Sequence, residues 1–287
     1  MPGAGGATRI ETRLGPIQCA IAGDGPALLA LHGAMGGHDQ SRILGQALTG
    51  PKPDRRVLSV SRPGYLGTPL GAGDTPERQA DLFAALLDAL GIGAATVAAV
   101  SAGGPSALHF AARHPARCRG LILVSACTAV LETPPRVLAR MRMMAVMARI
   151  PGVLGWLRRG VVRRPEAAAA RAIPDPALRA RTLADPEAGP LLRALQLSVF
   201  DRLPDRLPGT INDIAQFRHL APIPFERIAA PVLIAHGGAD DIVPFGHARR
   251  AAERIPGAAL LAIEGAGHLA LFTHLETIQR RAAAFLG

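Results

Sequence analysis

Short apolar runs alternate with helical patterns along the first part of the chain. Runs typical of buried strands lie at residues 18–22, 27–31, 57–60, 96–100 and 120–125. Helical periodicity of the apolar positions covers residues 78–90, after a predicted cap at Thr75, and residues 102–113. This alternation predicts a parallel sheet whose strands are connected by helices.

The alternation is interrupted between residues 128 and 222. Helical patterns rich in Arg and Met occur there, divided by repeated prolines and without a convincing strand pattern. Beyond this region the alternation resumes, with strands predicted at 231–236 and 258–263 and helices at 246–254 and 273–285. We therefore predict one α/β core formed by residues 1–127 and 223–287, with residues 128–222 as a helical insertion.

Composition excludes several classes of protein. With 287 residues, 49% of them hydrophobic, the chain can bury a sizeable core. No apolar run reaches the roughly 18–20 residues that a membrane span requires. The chain has three cysteines, an odd number, and no two of them have Cys-x-x-Cys spacing. Neither a disulfide framework nor a zinc site is therefore expected. The first six residues lack the pattern of a signal peptide, and the expected location is the cytoplasm.

The net charge of +10 is concentrated in one segment. Residues 136–181 hold 11 arginines against Glu166 and Asp175, which makes +9. Aromatic residues are only 3% and do not interleave with arginine, so nucleic-acid binding is not expected. Lys52 is the only lysine, which points to genome composition as the source of much of the arginine excess. We expect these arginines to be solvated; attraction of an anionic substrate or of an acidic membrane surface is the alternative.

Ser101 carries the strongest local signal for chemistry. It lies between a predicted strand and a predicted helix, in the sequence AVSAGG. A serine at such a junction occupies a sharp, strained turn that needs small neighbours, here Ala99, Gly103 and Gly104. The turn raises the hydroxyl above the carboxyl ends of the strands, and the following helix directs amides toward a developing anion. An ordinary serine in a small-residue turn is the alternative.

Two later loops contain the partners that a serine nucleophile requires. A serine hydroxyl is a weak nucleophile, so it needs a histidine base that a carboxylate orients. Asp240 follows the next-to-last predicted strand and His268 follows the last, which places both at the same sheet edge as Ser101. Asp241 is the alternative acid, but we expect it to be a solvated loop residue or a helix cap.

A glycine-rich loop, HGAMGG at residues 32–37, follows another buried strand. Such a loop can supply one of two backbone N–H groups that stabilise an oxyanion. We expect these donors to be the amides of Ala34 and Ala102, and we expect His32 to stabilise its loop rather than act as a base.

Together these motifs resemble the serine hydrolases of the α/β-hydrolase fold. The resemblance covers almost the whole chain, through residues 32–33, 62–67, 99–104, 237–244 and 267–268. It departs at Ala99, where the family usually has glycine, and at Ser61, where many relatives have aspartate. The resemblance implies a mostly parallel sheet flanked by helices, with a helical cap insertion.

The resemblance also implies acyl chemistry through a serine ester. Dehalogenases and epoxide hydrolases of this fold have aspartate at the position of Ser101, so neither activity is expected. The expected function is hydrolysis of an ester or lactone with a hydrophobic acyl group, without a metal or nucleotide cofactor, because the motifs for both are missing. Acyltransferase, perhydrolase and carbon–carbon bond hydrolase activities remain alternatives, and so does a non-turning ligand receptor. The oligomeric state does not follow from the sequence.

Three further expectations concern the surroundings of the site. The helix over residues 136–149 is apolar on two sides, which is typical of a cap element. The polar cluster at residues 209–213 is expected to order a loop by local hydrogen bonds rather than to contact substrate. Cys127 is expected to be a buried, inert thiol.

Overall fold

The computed structural model describes residues 6–51 and 54–287. Residues 1–5 lie outside the described residues, and most of the expectation about a signal peptide concerns them. Lys52 also lies outside the described residues. The strands are β1 (Thr8–Thr12), β2 (Gly15–Ala22), β3 (Ala27–Leu31), β4 (Arg56–Val60), β5 (Ala95–Val100), β6 (Cys118–Val124), β7 (Val232–Gly237) and β8 (Ala259–Ile263).

These strands form a single sheet in the order β1-β2-β4-β3-β5-β6-β7-β8. Strands β3 to β8 are parallel to one another, and only the pairs β1–β2 and β2–β4 are antiparallel in the described part of the chain. The carboxyl ends of β3, β5, β7 and β8 therefore meet at one edge, where all the predicted catalytic residues lie.

Helices cover both faces of the sheet. The helices of the core are α1 (His38–Thr49), α2 (Pro76–Ala89), α3 (Gly104–Arg113), α10 (Gly246–Arg254), α11 (Ala270–Thr273) and α12 (Leu275–Leu286). Helices α2, α3 and α10 bury their apolar residues on one face of the sheet, and α1, α11 and α12 on the other. Because alternate side chains of a strand point to opposite faces, Leu28 contributes to one cluster and Leu29 to the other.

The remaining helices all lie between β6 and β7. They are α4 (Pro135–Met147), α5 (Val153–Arg163), α6 (Pro165–Ala169), α7 (Pro176–Ala184), α8 (Ala188–Ser198) and α9 (Leu207–Phe217). We call α4–α6 the outer helices and α7–α9 the inner helices. As predicted, no strand occurs in this part of the described chain. No helix among the described residues is long and apolar enough to cross a bilayer.

Two elements of the core lack a recognisable sequence pattern. Strand β1 is a polar edge strand, so no apolar run marks it. Helix α1 begins after Gly37 and has no capping side chain of its own. Instead, the hydroxyl of Ser61 accepts a hydrogen bond from His38 N–H at 2.9 Å. Ser61, which departs from the family pattern, thus accepts a hydrogen bond from an N–H group at the N-terminus of α1, although it lies in a distant loop.

Candidate active site

Ser101 lies directly after β5 in a strained backbone conformation. Its φ is 52°, in the left-handed region that a residue with a side chain rarely adopts. A single 3₁₀ turn, Ser101–Gly103, connects the strand to α3. Only glycine fits at position 103, because a Cβ there would lie 2.9 Å from the carbonyl oxygen of Leu31. The sharp strand-to-helix turn predicted from the sequence is present.

The structure brings Ser101, His268 and Asp240 together. His268 Nε2 lies 3.0 Å from Ser101 Oγ, and His268 Nδ1 lies 2.8 Å from Asp240 Oδ2. With Nδ1 donating to the carboxylate, Nε2 is left to accept the serine proton. This arrangement allows the imidazole to take a proton from the hydroxyl while the carboxylate stabilises the resulting positive charge.

Asp240 is buried and well supplied with hydrogen-bond donors. The backbone N–H groups of Ile242 and Val243 both donate to its Oδ1 at 2.9 Å. Burial by itself raises the pKa of this carboxyl, but donors from His236 and His268 and the amide of Val243 hold the pKa well below its usual range. Asp240 is therefore ionised at neutral pH.

The second histidine beside Asp240 was missed by the sequence analysis. His236, at the end of β7, is fully buried, and its Nε2 lies 3.3 Å from Asp240 Oδ2 and 2.9 Å from Val243 O. Its spacing of four residues from the aspartate was the available signal. The carboxylate thus lies between two imidazoles, of which only that of His268 also reaches Ser101 among the described residues.

Asp241, the alternative acid, points away from the site. Its side chain is 71% exposed and pairs with Arg136 of helix α4. The expectation that it is a solvated loop residue agrees with this position.

The loop that contains Ala34 lies against Ser101. A Cβ on Gly33 would lie 3.1 Å from Ser101 Cβ, so the backbone of this loop touches the serine. Ala34 follows, and its N–H has no acceptor among the described residues. Ala102 N–H belongs to the turn after Ser101. Ala34 and Ala102 thus both lie in backbone segments next to Ser101.

His32 is built into the loop rather than the cleft. Its ring is buried, with Nδ1 donating to Gly33 O at 2.6 Å and Nε2 accepting from Arg62 N–H at 2.9 Å. Burial, followed by the positive charge of Arg62, lowers the pKa of His32 well below its usual value. A neutral imidazole in one fixed tautomer stabilises the loop and has no free nitrogen to act as a base.

The polar cluster at residues 209–213 does not order a loop by local hydrogen bonds, so that prediction was wrong. These residues lie in helix α9, and the side chains of Thr210, Asn212 and Asp213 reach distant parts of the chain. Asp213 accepts from Arg62 and from the Tyr65 hydroxyl, and all three side chains are buried. The burial of a charged pair requires a partner for each charge, and that partner was too distant in sequence to be predicted.

Neither the cysteine near the site nor any cluster of metal-binding side chains in the described chain has catalytic geometry. Cys127 packs against Ala102 and Phe217, and burial raises the pKa of its thiol to about 12. Among the described residues, no group of three or more His, Cys, Asp or Glu side chains is arranged to hold a metal ion.

Comparison with known proteins agrees with this architecture. A family model described as the alpha/beta hydrolase fold matches residues 26–275. An uncharacterized hydrolase of Bacillus subtilis is 28% identical over 279 residues, covering 91% of this chain and 92% of that protein. A pimeloyl-(acyl-carrier protein) methyl ester esterase of Chromobacterium violaceum is 30% identical over 271 residues, covering 92% of this chain and 95% of that protein.

A solved structure agrees as well. An alpha/beta hydrolase fold protein from Nakamurella multipartita is 33% identical, with a TM-score of 0.83 over 98% of each chain. The chain therefore belongs to the α/β hydrolase fold family. The fold class predicted from the sequence, a mostly parallel sheet flanked by helices, is confirmed.

Proposed function

We propose that this α/β hydrolase is a serine esterase that cleaves a small ester or lactone with a hydrophobic acyl group. The observation that carries the proposal is the chain of two hydrogen bonds, 3.0 Å from Ser101 to His268 and 2.8 Å from His268 to Asp240. No cofactor takes part in the proposed reaction, and the proposed location is the cytoplasm.

In the first half of the reaction, Ser101 Oγ attacks the carbonyl carbon of the ester. His268 Nε2 takes the serine proton as the new C–O bond forms, and Asp240 stabilises the imidazolium. The amides of Ala34 and Ala102 donate to the oxyanion, and such donors are worth about 3–4 kcal/mol each in the transition state. Collapse of the tetrahedral intermediate expels the alcohol, which receives its proton from His268.

In the second half, water resolves the acyl-enzyme. His268 deprotonates the water as it attacks the acyl carbon, a second oxyanion forms at the same amides, and Ser101 leaves with the proton returned by His268. Helices α4–α9 act in this proposal as a cap over the cleft. Support for an ester substrate comes from the Chromobacterium violaceum relative, whose name describes a methyl ester esterase.

The proposal is tested by removing the nucleophile and the base. Ser101→Ala and His268→Ala should lower kcat for a short p-nitrophenyl ester by about four orders of magnitude or more. Both variants should also lose covalent labelling by a fluorophosphonate probe, and both should fold, because neither substitution leaves a large cavity.

Ser125→Ala is the matched control. Ser125 is also buried, follows β6 at the same edge of the sheet and has a left-handed φ of 44°, but its hydroxyl has no partner among the described residues. This variant should keep the turnover of the parent. Turnover by Ser101→Ala close to that of the parent would overturn the proposal.

A second candidate function is hydrolysis of an ester carried by an acidic protein. Two observations favour it: residues 136–181 carry +9 of the net charge, and the Chromobacterium violaceum relative is named for a substrate on an acyl-carrier protein. Strong salt dependence of turnover on such a substrate, absent for a neutral ester, would favour this candidate over the small ester.

A further inference from the structure

A hydroxyl of the inner helices binds the loop that carries the proposed oxyanion amide. Thr210, in α9, is 1% exposed, and its Oγ1 accepts a hydrogen bond from Met35 N–H at 3.0 Å. The same hydroxyl donates to Arg206 O at 2.9 Å, so its orientation is fixed. Met35 N–H belongs to the peptide group that immediately follows Ala34.

The loop needs such support because its backbone is strained. Met35 has a φ of 58°, a left-handed conformation that costs a non-glycine residue about 1–2 kcal/mol. Its carbonyl oxygen is held as well, by Gln40 Nε2 at 3.2 Å and by the guanidinium of Arg206 at 3.5 Å. Both peptide groups that flank Met35 are thus fixed by side chains, two of which belong to the inner helices or the segment between them.

The peptide on the other side of Ala34 is fixed from the core. Gly33 O accepts from His32 Nδ1 at 2.6 Å and faces the Arg62 guanidinium at 3.5 Å. In a trans peptide the N–H points away from the C=O, so these contacts direct Ala34 N–H to the opposite side. Arg62 is in turn held by Asp213 of α9.

Helix α9 is docked on the core by contacts that do not involve the hydroxyl of Thr210. Arg62 pairs with Asp213, and Arg206 binds Asp39 through both oxygens at 2.6 and 3.1 Å. The backbone of Gly209 donates to Gly64 O at 2.8 Å, and a side chain at Gly209 would collide with the ring of Tyr65. Loss of the hydroxyl alone should therefore leave the helix in place.

We propose that Thr210 is a positioning residue that holds the Ala34–Met35 peptide so that Ala34 N–H meets the oxyanion. The inference rests on the proposed function, because it concerns the transition state of the same reaction. Its consequence is that α9 forms part of the catalytic machinery, although none of its side chains reaches Ser101 through a hydrogen bond among the described residues. Substrate binding in the ground state does not depend on this hydroxyl.

Thr210→Val removes the hydroxyl and keeps the shape. Removal of a whole oxyanion donor costs about 10²–10³ in kcat, so loosening one should lower kcat for a p-nitrophenyl ester by about tenfold or more. KM should stay within about twofold, because only the transition state loses an interaction. Thr210→Ser, which restores the hydroxyl, should recover kcat to within about threefold of the parent.

A trifluoromethyl ketone gives a readout that a merely structural role would not change. Ser101 adds to its carbonyl carbon, the carbonyl π electrons move to the oxygen as an oxyanion, and His268 takes the serine proton. Affinity for this ketone should weaken in Thr210→Val by the same factor as kcat/KM, because both report the tetrahedral state.

Thr182→Val is the matched control. Thr182 is 3% exposed in helix α7, and its hydroxyl donates to Leu178 O four residues back, as that of Thr210 does to Arg206 O, but it accepts nothing from the site loop. This variant should match the parent in kcat and in ketone affinity. Thr210→Ala carries the same test if Thr210→Val does not fold.

The outcomes separate the two proposals. If Ser101→Ala is inactive but Thr210→Val keeps the parent's kcat and ketone affinity, or raises KM alone, the positioning role is wrong and the esterase proposal stands. If Ser101→Ala remains active, the esterase proposal itself fails.

Discussion

The outer and inner helices of the insertion differ sharply in how they are held. Among the outer helices, only Met144 and Ala169 are buried, and α5 buries none of its residues. The inner helices bury apolar side chains such as Leu192 against α1 and α11, and the buried hydroxyl of Thr210 in α9 contacts the loop at residues 32–37. One insertion therefore contains a part integrated with the core and a part that lies on its surface.

The ion pairs show the same contrast. Asp213 of α9 forms a buried pair with Arg62, and the buried Arg206 pairs with the partly exposed Asp39 of the core. The outer Arg158 instead pairs with Asp201 at 3.4 Å, and both of these side chains are about half exposed. Breaking a buried pair costs about 3–5 kcal/mol, because the remaining charge has no partner. A surface pair contributes about 0–1 kcal/mol.

The difference indicates which helices of the insertion can change in sequence or shape without disturbing the candidate active site. The outer helices expose large apolar residues, among them Val146 at 59% and Trp156 at 65%. Few buried contacts mean a low cost of local opening, so the outer helices can change their shape more easily than the inner helices can. The inner helices have less freedom, because Thr210 in α9 holds the loop at residues 32–37.

The largest expected effect separates the two adjacent aspartates. Asp240→Asn should lower kcat by about 10⁴-fold, since the histidine loses the partner that fixes its tautomer and stabilises its cation. Asp241→Asn should change kcat less than about twofold, because Asp241 pairs only with the exposed Arg136 of the outer helices in the described structure. Steady-state kinetics on a p-nitrophenyl ester measures both. If Asp241→Asn lost activity and Asp240→Asn kept it, the catalytic acid would be Asp241, and its partner Arg136 would link the outer helices to the reaction.

The next effect compares a buried with an exposed aspartate of the insertion. Asp213→Ala should lower the free energy of unfolding by about 3–5 kcal/mol, because it leaves Arg62 charged, buried and without its carboxylate. Asp201→Ala, which removes the exposed partner of Arg158, should lower it by less than about 1 kcal/mol. Urea titrations followed by circular dichroism give both values. Equal losses in the two variants would contradict the division into inner and outer helices.

The sequence predicted the parts of this molecule that depend on local patterns. The strand and helix periodicity of the core is confirmed, and the motifs around Ser101 and His268 lie in loops whose position follows from strand order. Contacts between residues far apart in the chain could not be predicted. Thr210 bonds to an amide 175 residues away, and Asp213 to a guanidinium 151 residues away. No periodicity or spacing indicates which distant buried charge will meet which partner.

A smaller effect concerns the point where the insertion begins. His247 Nδ1 accepts from Thr128 N–H at 3.1 Å, which joins the first residue of the insertion to α10 of the core. Burial, aided by the positive charge of Arg250, lowers the pKa of His247 from 6.5 to about 4. The unfolded chain therefore binds more protons between these pH values, and the folded state loses stability as the pH falls through this range.

His247→Gln should reduce this pH dependence by up to one proton, or about 1.4 kcal/mol per pH unit. Urea titrations of parent and variant at several values between pH 4 and 6.5 measure the difference, and comparison within the pair removes the contribution of other buried histidines. Identical slopes would show that His247 is not held neutral at the start of the insertion.

The smallest expected effect concerns the charge of the outer helices. Arginines in residues 136–181 could attract an anionic substrate over a screening length of about 8–10 Å at physiological salt. Alternatively, their stems cover apolar surface while their charged groups stay in water, and we expect this second role. Arg158, for example, is 45% exposed and already faces Asp201. Such arginines would not distinguish a neutral from an anionic substrate.

The ratio of kcat/KM for a neutral and a carboxylate-bearing ester of equal size should therefore stay within about threefold between low and high ionic strength. Vesicles with anionic lipids should not pellet the protein, because Arg136 and Arg158 already face carboxylates and physiological salt screens the remaining charges. A salt-sensitive preference of about tenfold or more for the anionic ester, lost when Arg158, Arg159, Arg163 and Arg164 are neutralised, would contradict this expectation. It would show that the outer helices act through long-range charge, whereas the inner helices act through fixed contacts.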